Sequence, residues 1–219
     1  MAQGKIINAS NSGNYVSDNK VFILDDFLSK TSNELIGNLS DMVFSLPQTS
    51  LYQTDTQIIS PYDITNDTHP IIDVFINSAG GDGKILDSIV ALLGIAKSKG
   101  AIIRTTVLGR ASSCGSLLAI TGTKGYRVMY SQSYHMVHFG KHNARIEKEV
   151  EIELAAQYIQ KSTANKTNMY LQHTNLTSKD LKKLQSHEYG FLSAQECLDK
   201  GLCDWIITDF GNIIGRGQR

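Results

Sequence analysis

Gly109-Arg-Ala-Ser-Ser-Cys-Gly-Ser-Leu-Leu-Ala-Ile-Thr-Gly122 follows an extended run rich in β-branched residues, Ile102 to Val107, and passes directly into an apolar helical pattern. An extended β-branched run that changes to helical spacing across a few small residues reads as strand, tight turn, helix. Ser112 and Ser113 fall at that turn, with the helix expected over about Ser113 to Thr121. A serine there projects its hydroxyl away from the sheet, and the first free backbone N–H groups of the helix point at any negative charge that develops beside it. The competing reading is that small residues at such a turn serve only close packing of helix on strand.

Upstream, Ile71-Ile-Asp-Val-Phe-Ile76 is mostly apolar on both faces, as a strand covered on two sides would be. It runs into Asn77-Ser-Ala-Gly-Gly-Asp82, where adjacent glycines permit backbone angles closed to other residues. Ile85, Leu86, Ile89, Leu92, Leu93 and Ala96 then recur at helical spacing, and Gly100 is placed to end that helix. With Ile102–Val107 this completes a β-α-β unit, whose strands are parallel. The quoted stretch opens a second unit, closed by a strand at Tyr126–Met129. Ligand sites in parallel sheets lie at the carboxyl ends of the strands, so the turns at Gly80-Gly81 and Ser112-Ser113-Cys114 are expected to face each other. One N–H from each, those of Gly81 and Cys114, would make an oxyanion hole.

Outside these units, residues 1–19 are rich in Gly, Ser and Asn and read as a mobile arm, and 209–219 as a tail, leaving one domain over 20–208. Lys20–Asp25 is a short strand candidate. Thr31-Ser-Asn-Glu34 has capping-box spacing ahead of a helix. Between Pro47 and Pro70 lies a polar excursion, with a hairpin through Gln57-Ile-Ile59 as one reading. Tyr134–His138 alternates as a half-exposed strand with His138 at its end. From Ile146 to about Gln172 runs one long helix whose stripe is Ile146, Val150, Leu154 and Tyr158, a scaffold or subunit contact. A short helix from Ser178, a second capping box at Ser193-Ala-Gln-Glu196, a stop at Gly201 and a strand over Leu202–Ile207 complete the pattern.

Charge is balanced, with 21 basic and 21 acidic residues in a chain of 219 and no long run of either sign, which argues against nucleic acid or an anionic membrane as partner. No apolar stretch approaches a membrane span, and Met1–Ser10 lacks the apolar core of a signal peptide, so a cytoplasmic protein is expected. Cys114, Cys197 and Cys203 make an odd count without metal-type pairing and fit packing roles; no metal or other cofactor is expected.

Four ordered stretches carry a resemblance. Ile76-Asn-Ser-Ala-Gly-Gly81, Gly109-Arg-Ala-Ser-Ser-Cys-Gly115, Met136-Val-His138, and Phe191-Leu-Ser-Ala194 with Gly201-Leu-Cys-Asp204 resemble the motifs of the Clp protease proteolytic subunit family, in which they read I-N-S-P-G-G, G-x-A-A-S-M-G, M-I-H and F-x-S-A-x-E-A-x-x-x-G-L-x-D. The resemblance implies an α/β fold of the ClpP/crotonase type, a β-β-α superhelix with a mainly parallel sheet and a long projecting helix. It also implies a serine endopeptidase working by acyl-enzyme chemistry inside an oligomeric chamber. Ser113 matches the nucleophile and His138 the general base, because a serine hydroxyl attacks only when a neighbouring imidazole takes its proton. His135, three residues back, points to the opposite face.

The third member of the triad departs from the pattern. The family's acid falls at Tyr189; Glu188 precedes it, and Gly190 as a one-residue insertion would restore Glu188 to the site, with Gln185, His187 and Asp180 as outside candidates. The glycine-rich stretch after the histidine is replaced by Phe139-Gly-Lys-His-Asn-Ala-Arg-Ile-Glu-Lys148, and 48–69 is an insertion. The resemblance further implies a homo-oligomeric ring, heptameric and stacked to a 14-mer, an AAA+ unfoldase ATPase as partner, and polypeptide substrates. Three rivals share some of the motifs: a phage-type head maturation protease, a catalytically silent subunit of a mixed ring, and a crotonase-type acyl-coenzyme A enzyme.

Overall fold

The computed structural model describes residues 13–27, 29–52, 60–62, 68–138, 149–186 and 190–215. In chain order the elements are β1 (Asn14–Ser17), β2 (Lys20–Ile23), α1 (Ser29–Ser45), β3 (Ile71–Ser78), α2 (Gly83–Ser98), β4 (Ile102–Ser112), α3 (Cys114–Ile120), β5 (Arg127–Tyr130), β6 (Tyr134–Val137), α4 (Glu149–His173), α5 (Ser178–Ser186), β7 (Gly190–Ser193), α6 (Ala194–Lys200), β8 (Trp205–Ile207) and β9 (Ile213–Gly215). The protein is α/β. The strands join in one sheet of order β1-β2-β3-β4-β5-β8-β9, with β6 branching from the far end of β4 and carrying β7 on its other edge. From β2 to β8 the pairings along that path are parallel, and the outermost hairpins β1/β2 and β8/β9 are antiparallel.

β4 is the axis. Its first six residues are all buried, because helices cover one face and the chain around Pro61 and Tyr62 covers the other. On the second face the Arg104 guanidinium forks onto Asp73 at 2.5 and 2.9 Å, donates to Pro61 O, and stacks over the Tyr62 ring. On the helical face Thr105 Oγ1 donates to Ala119 O, and Ile85, Leu86, Ile89, Leu93 and Ala96 of α2 are buried. Asp82 caps α2 by accepting the Lys84 N–H at 2.8 Å.

Several boundaries differ from the sequence reading, each for a physical reason. β1 lies inside the segment assigned to the N-terminal arm: Asn14 and Val16 are buried and Tyr15 stacks on Phe22, a pattern too short to raise the local apolar content. β9 likewise recruits part of the C-terminal tail, with Gly215 seated on the Trp205 ring where a Cβ would come within 2.4 Å. α1 starts at Ser29, so Thr31 lies within the first turn and is not its cap. β4 runs on to Ser112, five residues past Val107, because it exchanges its partner β5 for β6. β7 has no counterpart in the sequence reading; four residues paired antiparallel to β6 carry too little periodicity to be seen. The excursion over 48–69 is anchored where it is described, through Thr49 N–H to Lys99 O and Tyr52 OH to Tyr126 OH; the hairpin expected at 57–59 lies outside the described residues. The capping box at Ser193 and Glu196 and the stop at Gly201, φ 71°, are present as expected.

Candidate active site

β4 and α3 meet at one residue. Ser113 caps the helix with φ 51° and ψ −115°, a conformation that side chains other than glycine avoid; among the described non-glycine residues only Asp18 shares the positive φ. Such a residue costs about 1–3 kcal/mol and persists only where its surroundings over-determine it. They do so here: the Ser113 N–H donates to Met136 O at 2.8 Å, its carbonyl accepts from Leu117 N, and all seven residues of α3 are buried. The turn is therefore a sharp strand-to-helix elbow presenting one side chain. Ser112 is the last residue of β4, buried and paired with Met136, while Ser113 is half-exposed. Gly115 lets the helix approach β3, since a Cβ there would meet Ser78 O at 3.3 Å.

The glycine pair packs against this elbow. Gly80 has φ 105°, and a Cβ on it would stand 2.8 Å from both Ser113 Cβ and Ser112 O and 3.1 Å from Cys114 N. Gly81, at φ 131°, meets Phe27 in the same way, with a Cβ only 2.6 Å from Phe27 O. Phe27 forms a bridge to Gly81 using the groups on either side of it: its N–H donates to Gly80 O at 2.7 Å and its carbonyl accepts Asp82 N–H at 3.0 Å. The peptide groups of Gly81 itself are thereby turned to the opposite edge, where the Cys114 thiol donates to Gly81 O at 3.2 Å. Asp26 and Ser78 brace the turn by accepting Ala79 N–H and Gly80 N–H. One edge of residues 80–82 is thus filled by the chain's own Phe27, and the other edge, where the Cys114 thiol bonds Gly81 O, faces the elbow. The sequence reading missed Asp26 and Phe27, which lie in no motif.

β6 brings the histidine. Ser112 pairs with Met136, and His138, half-buried, lies two residues beyond, past the end of the strand and on the same side as Met136. The strand register therefore sets the backbone at 138 alongside the elbow. His135 takes the other side, as expected, and is fully buried: its Nδ1 is 2.8 Å from Ser116 Oγ, which accepts from Tyr170 OH at 2.8 Å. Burial, and then the charge of Arg127, push the His135 imidazole down to about 3. Its folded value lies below the ordinary value of about 6.5, so the unfolded chain binds this proton first. This residue's contribution to stability is complete above pH 6.5 and is lost as the pH falls toward 3, by about 1.4 kcal/mol per unit. Urea unfolding at pH 7 and pH 5 should show that loss shrinking in His135→Asn, and an unchanged slope would refute the assignment.

Gly190 pairs with Val137 and packs so close to α5 that a Cβ would meet Leu184 Cβ at 2.9 Å. The chain thus enters β7 beside the end of β6, but Glu188, with His187 and Tyr189, lies outside the described residues, as does 139–148. Of the outside candidates, Asp180 is committed elsewhere: it accepts from Thr177 and Lys200, and the Thr177 bonds above all hold its carboxyl well below the usual range. The side chain of Gln185 is outside the described set. Cys114, Cys197 and Cys203 are buried, and no disulfide joins them among the described residues. Burial pushes the Cys114 thiol up, which Lys166 opposes and Asp87 and Asp82 reinforce. Among the described residues no cluster of metal-ligand type occurs and no helix is long and apolar enough to cross a membrane. A cavity of about 450 Å³ lined by Tyr52, Lys97, Arg127 and His173 opens at the amino ends of the parallel strands, the end opposite to the elbow.

The family described as Clp protease matches residues 49–210. The chain is 28% identical over 138 residues to proteins named ATP-dependent Clp protease proteolytic subunit from Streptococcus pyogenes serotype M5 (strain Manfredo), serotype M49 (strain NZ131) and serotype M3 (strain SSI-1), an alignment that covers 62% of this chain and 68% of each relative.

Proposed function

The chain belongs to the Clp protease family, and from that premise we propose that it is a serine endopeptidase with Ser113 as nucleophile and His138 as general base. The observation that carries the reading is the elbow itself: Ser113 is held at φ 51° in contact with Gly80, strain that a packing role does not need and an exposed nucleophile does. His138 takes the hydroxyl proton as Ser113 Oγ adds to the scissile carbonyl. The oxyanion is held by the N–H groups of Gly81 and Cys114, the imidazolium protonates the leaving amine as the C–N bond breaks, and water then cleaves the acyl-enzyme with His138 again as base. Glu188 is proposed to orient the imidazole. Extended substrate lies beside Gly81, on the side of the turn that Phe27 does not occupy. The relatives' name supports an oligomeric subunit whose ATP use belongs to a partner, and the exposed Leu154 and Tyr158 of α4 support burial of that helix between copies. A fluorophosphonate probe followed by peptide mapping tests the proposal: the adduct belongs on Ser113, and a label elsewhere, or none in any assembly state, refutes it.

A cavity of about 240 Å³ between α2 and α4 is lined by Gly83, Leu86, Asp87, Tyr158, Lys161 and Lys166, and the charges of Asp87 and Lys166 are felt by Cys114 of the elbow. We propose that it receives the substrate side chain next to the scissile bond. With two lysines against one aspartate it favours a polar or acidic side chain there. Lys166→Gln is expected to lower kcat/KM for peptides with an acidic residue at that position by about three- to tenfold relative to their amide counterparts, the size of one charge interaction at a half-buried site. Equal ratios in the two proteins would remove this cavity from substrate recognition.

A further inference from the structure

Two serine–histidine couples lie on the same two elements. Ser113 opens α3 and His138 follows β6; Ser116 lies three residues after the first and His135 three residues before the second. The inner couple is bonded at 2.8 Å, and Tyr170 of α4 donates to it at 2.8 Å. All three inner side chains are fully inaccessible to solvent. With Tyr170 donating to Ser116, the Ser116 hydroxyl hydrogen is left for His135 Nδ1, which places the ring's single hydrogen on Nε2. Nε2 has no hydrogen-bond partner among the described residues.

An unpartnered nitrogen is a cost that three apolar side chains of similar volume would not incur. What the polar set supplies instead is direction. Apolar contacts tolerate sliding, whereas a buried chain of two short hydrogen bonds admits one spacing between the elements it joins. We infer that Tyr170, Ser116 and His135 form a positioning network that sets the distance between the first turn of α3 and strand β6, and so between the hydroxyl of Ser113 and the imidazole of His138. The inference rests on the peptidase reading. None of the three residues touches substrate. Their position fits the role: Ser116 is one helical turn from the elbow, where the Ser113 N–H already joins β6 through Met136 O, so the network adds a second tie between the same elements on the side away from the ligand. Tyr170 extends the tie to α4, which contacts α3.

Misplacement of reacting groups by about 1 Å costs on the order of a hundredfold in rate. Tyr170→Phe keeps the ring and removes only the hydroxyl. In the full-length assembly it is expected to lower kcat for peptide hydrolysis, and the rate of fluorophosphonate labelling, by about ten- to a hundredfold with KM unchanged. His135→Leu should lose more, and His135→Asn, whose amide oxygen stands where Nδ1 stood, should recover most of the loss. Wild-type kcat in Tyr170→Phe would overturn the network. So would a parallel shift of kcat, KM and melting temperature with His135→Asn no better than His135→Leu, the behaviour of mere packing. If His135→Leu does not fold, Tyr170→Phe decides alone. A wild-type protein that neither labels nor cleaves overturns the peptidase reading and the network with it, and is distinguishable from an active wild type matched by an active Tyr170→Phe.

Discussion

Ser113→Ala is expected to abolish fluorophosphonate labelling and to lower peptide hydrolysis by about five to six orders of magnitude, leaving the folded assembly intact. The loss is that large because every covalent step passes through one oxygen, and neither the backbone donors nor the imidazole can substitute for it. Stability should separate from activity in a way that identifies the elbow. Alanine inherits the φ of 51° and its strain, so Ser113→Ala should unfold at nearly the wild-type urea concentration. Glycine occupies that region freely, and Ser113→Gly should be more stable than Ser113→Ala by roughly 1 kcal/mol after its own greater backbone entropy is subtracted. Two equally inactive variants that differ in stability in that order are the signature of a nucleophile held under strain. Equal stabilities would mean the backbone relaxes and stores nothing, and hydrolysis in Ser113→Ala within about a hundredfold of the wild type would move the nucleophile elsewhere.

The elbow was legible in the sequence because every cue to it is local: a β-branched run, a few small residues, then helical spacing. The same holds for Gly80 and Gly81, where adjacent glycines announce a backbone that no other residue adopts, and for the capping box at Ser193 and Glu196. What the sequence concealed is long-range. β4 continues to Ser112 because β6, more than twenty residues later, replaces β5 as its partner, and local propensity carries no trace of that exchange. Phe27 fills one edge of the glycine turn from more than fifty residues away. The most instructive case is His135. Strand alternation gave its direction, opposite to His138, but its bonds to Ser116 and Tyr170 join three elements whose order in the chain says nothing of their contact. Glu188 stands apart from both groups: it is an expectation of the sequence, and of it the geometry says only that Gly190, two residues on, pairs beside the end of β6.

Asp204→Ala is expected to destabilise the fold by about 3–5 kcal/mol, the largest stability effect of any single side-chain truncation among these predictions. Asp204 accepts four bonds: Gly125 N–H at 2.7 Å, Arg127 N–H at 3.2 Å, and the Arg127 guanidinium at 2.9 and 2.6 Å. The remaining nitrogen of Arg127 is spent on His173 O and Gly201 O, so this one ion pair ties the start of β5 to the ends of α4 and α6. Only 4% of the arginine side chain and 12% of the aspartate are exposed. Truncating the aspartate strands a buried cation, and the cost lies in that charge more than in the lost attraction. Lys97 is a second buried cation close by: burial first, and the nearby Arg127 charge second, push its ammonium down to about 8. Removing both charges should therefore harm less than removing one, and Asp204→Leu combined with Arg127→Met should be more stable than Asp204→Ala, as urea unfolding would measure. A double variant weaker than either single would mean that the pair contributes attraction beyond its desolvation cost. Because this tie sits at the amino ends of the parallel strands, opposite to Ser113, hydrolysis per titrated active site in folded Asp204→Ala should match the wild type.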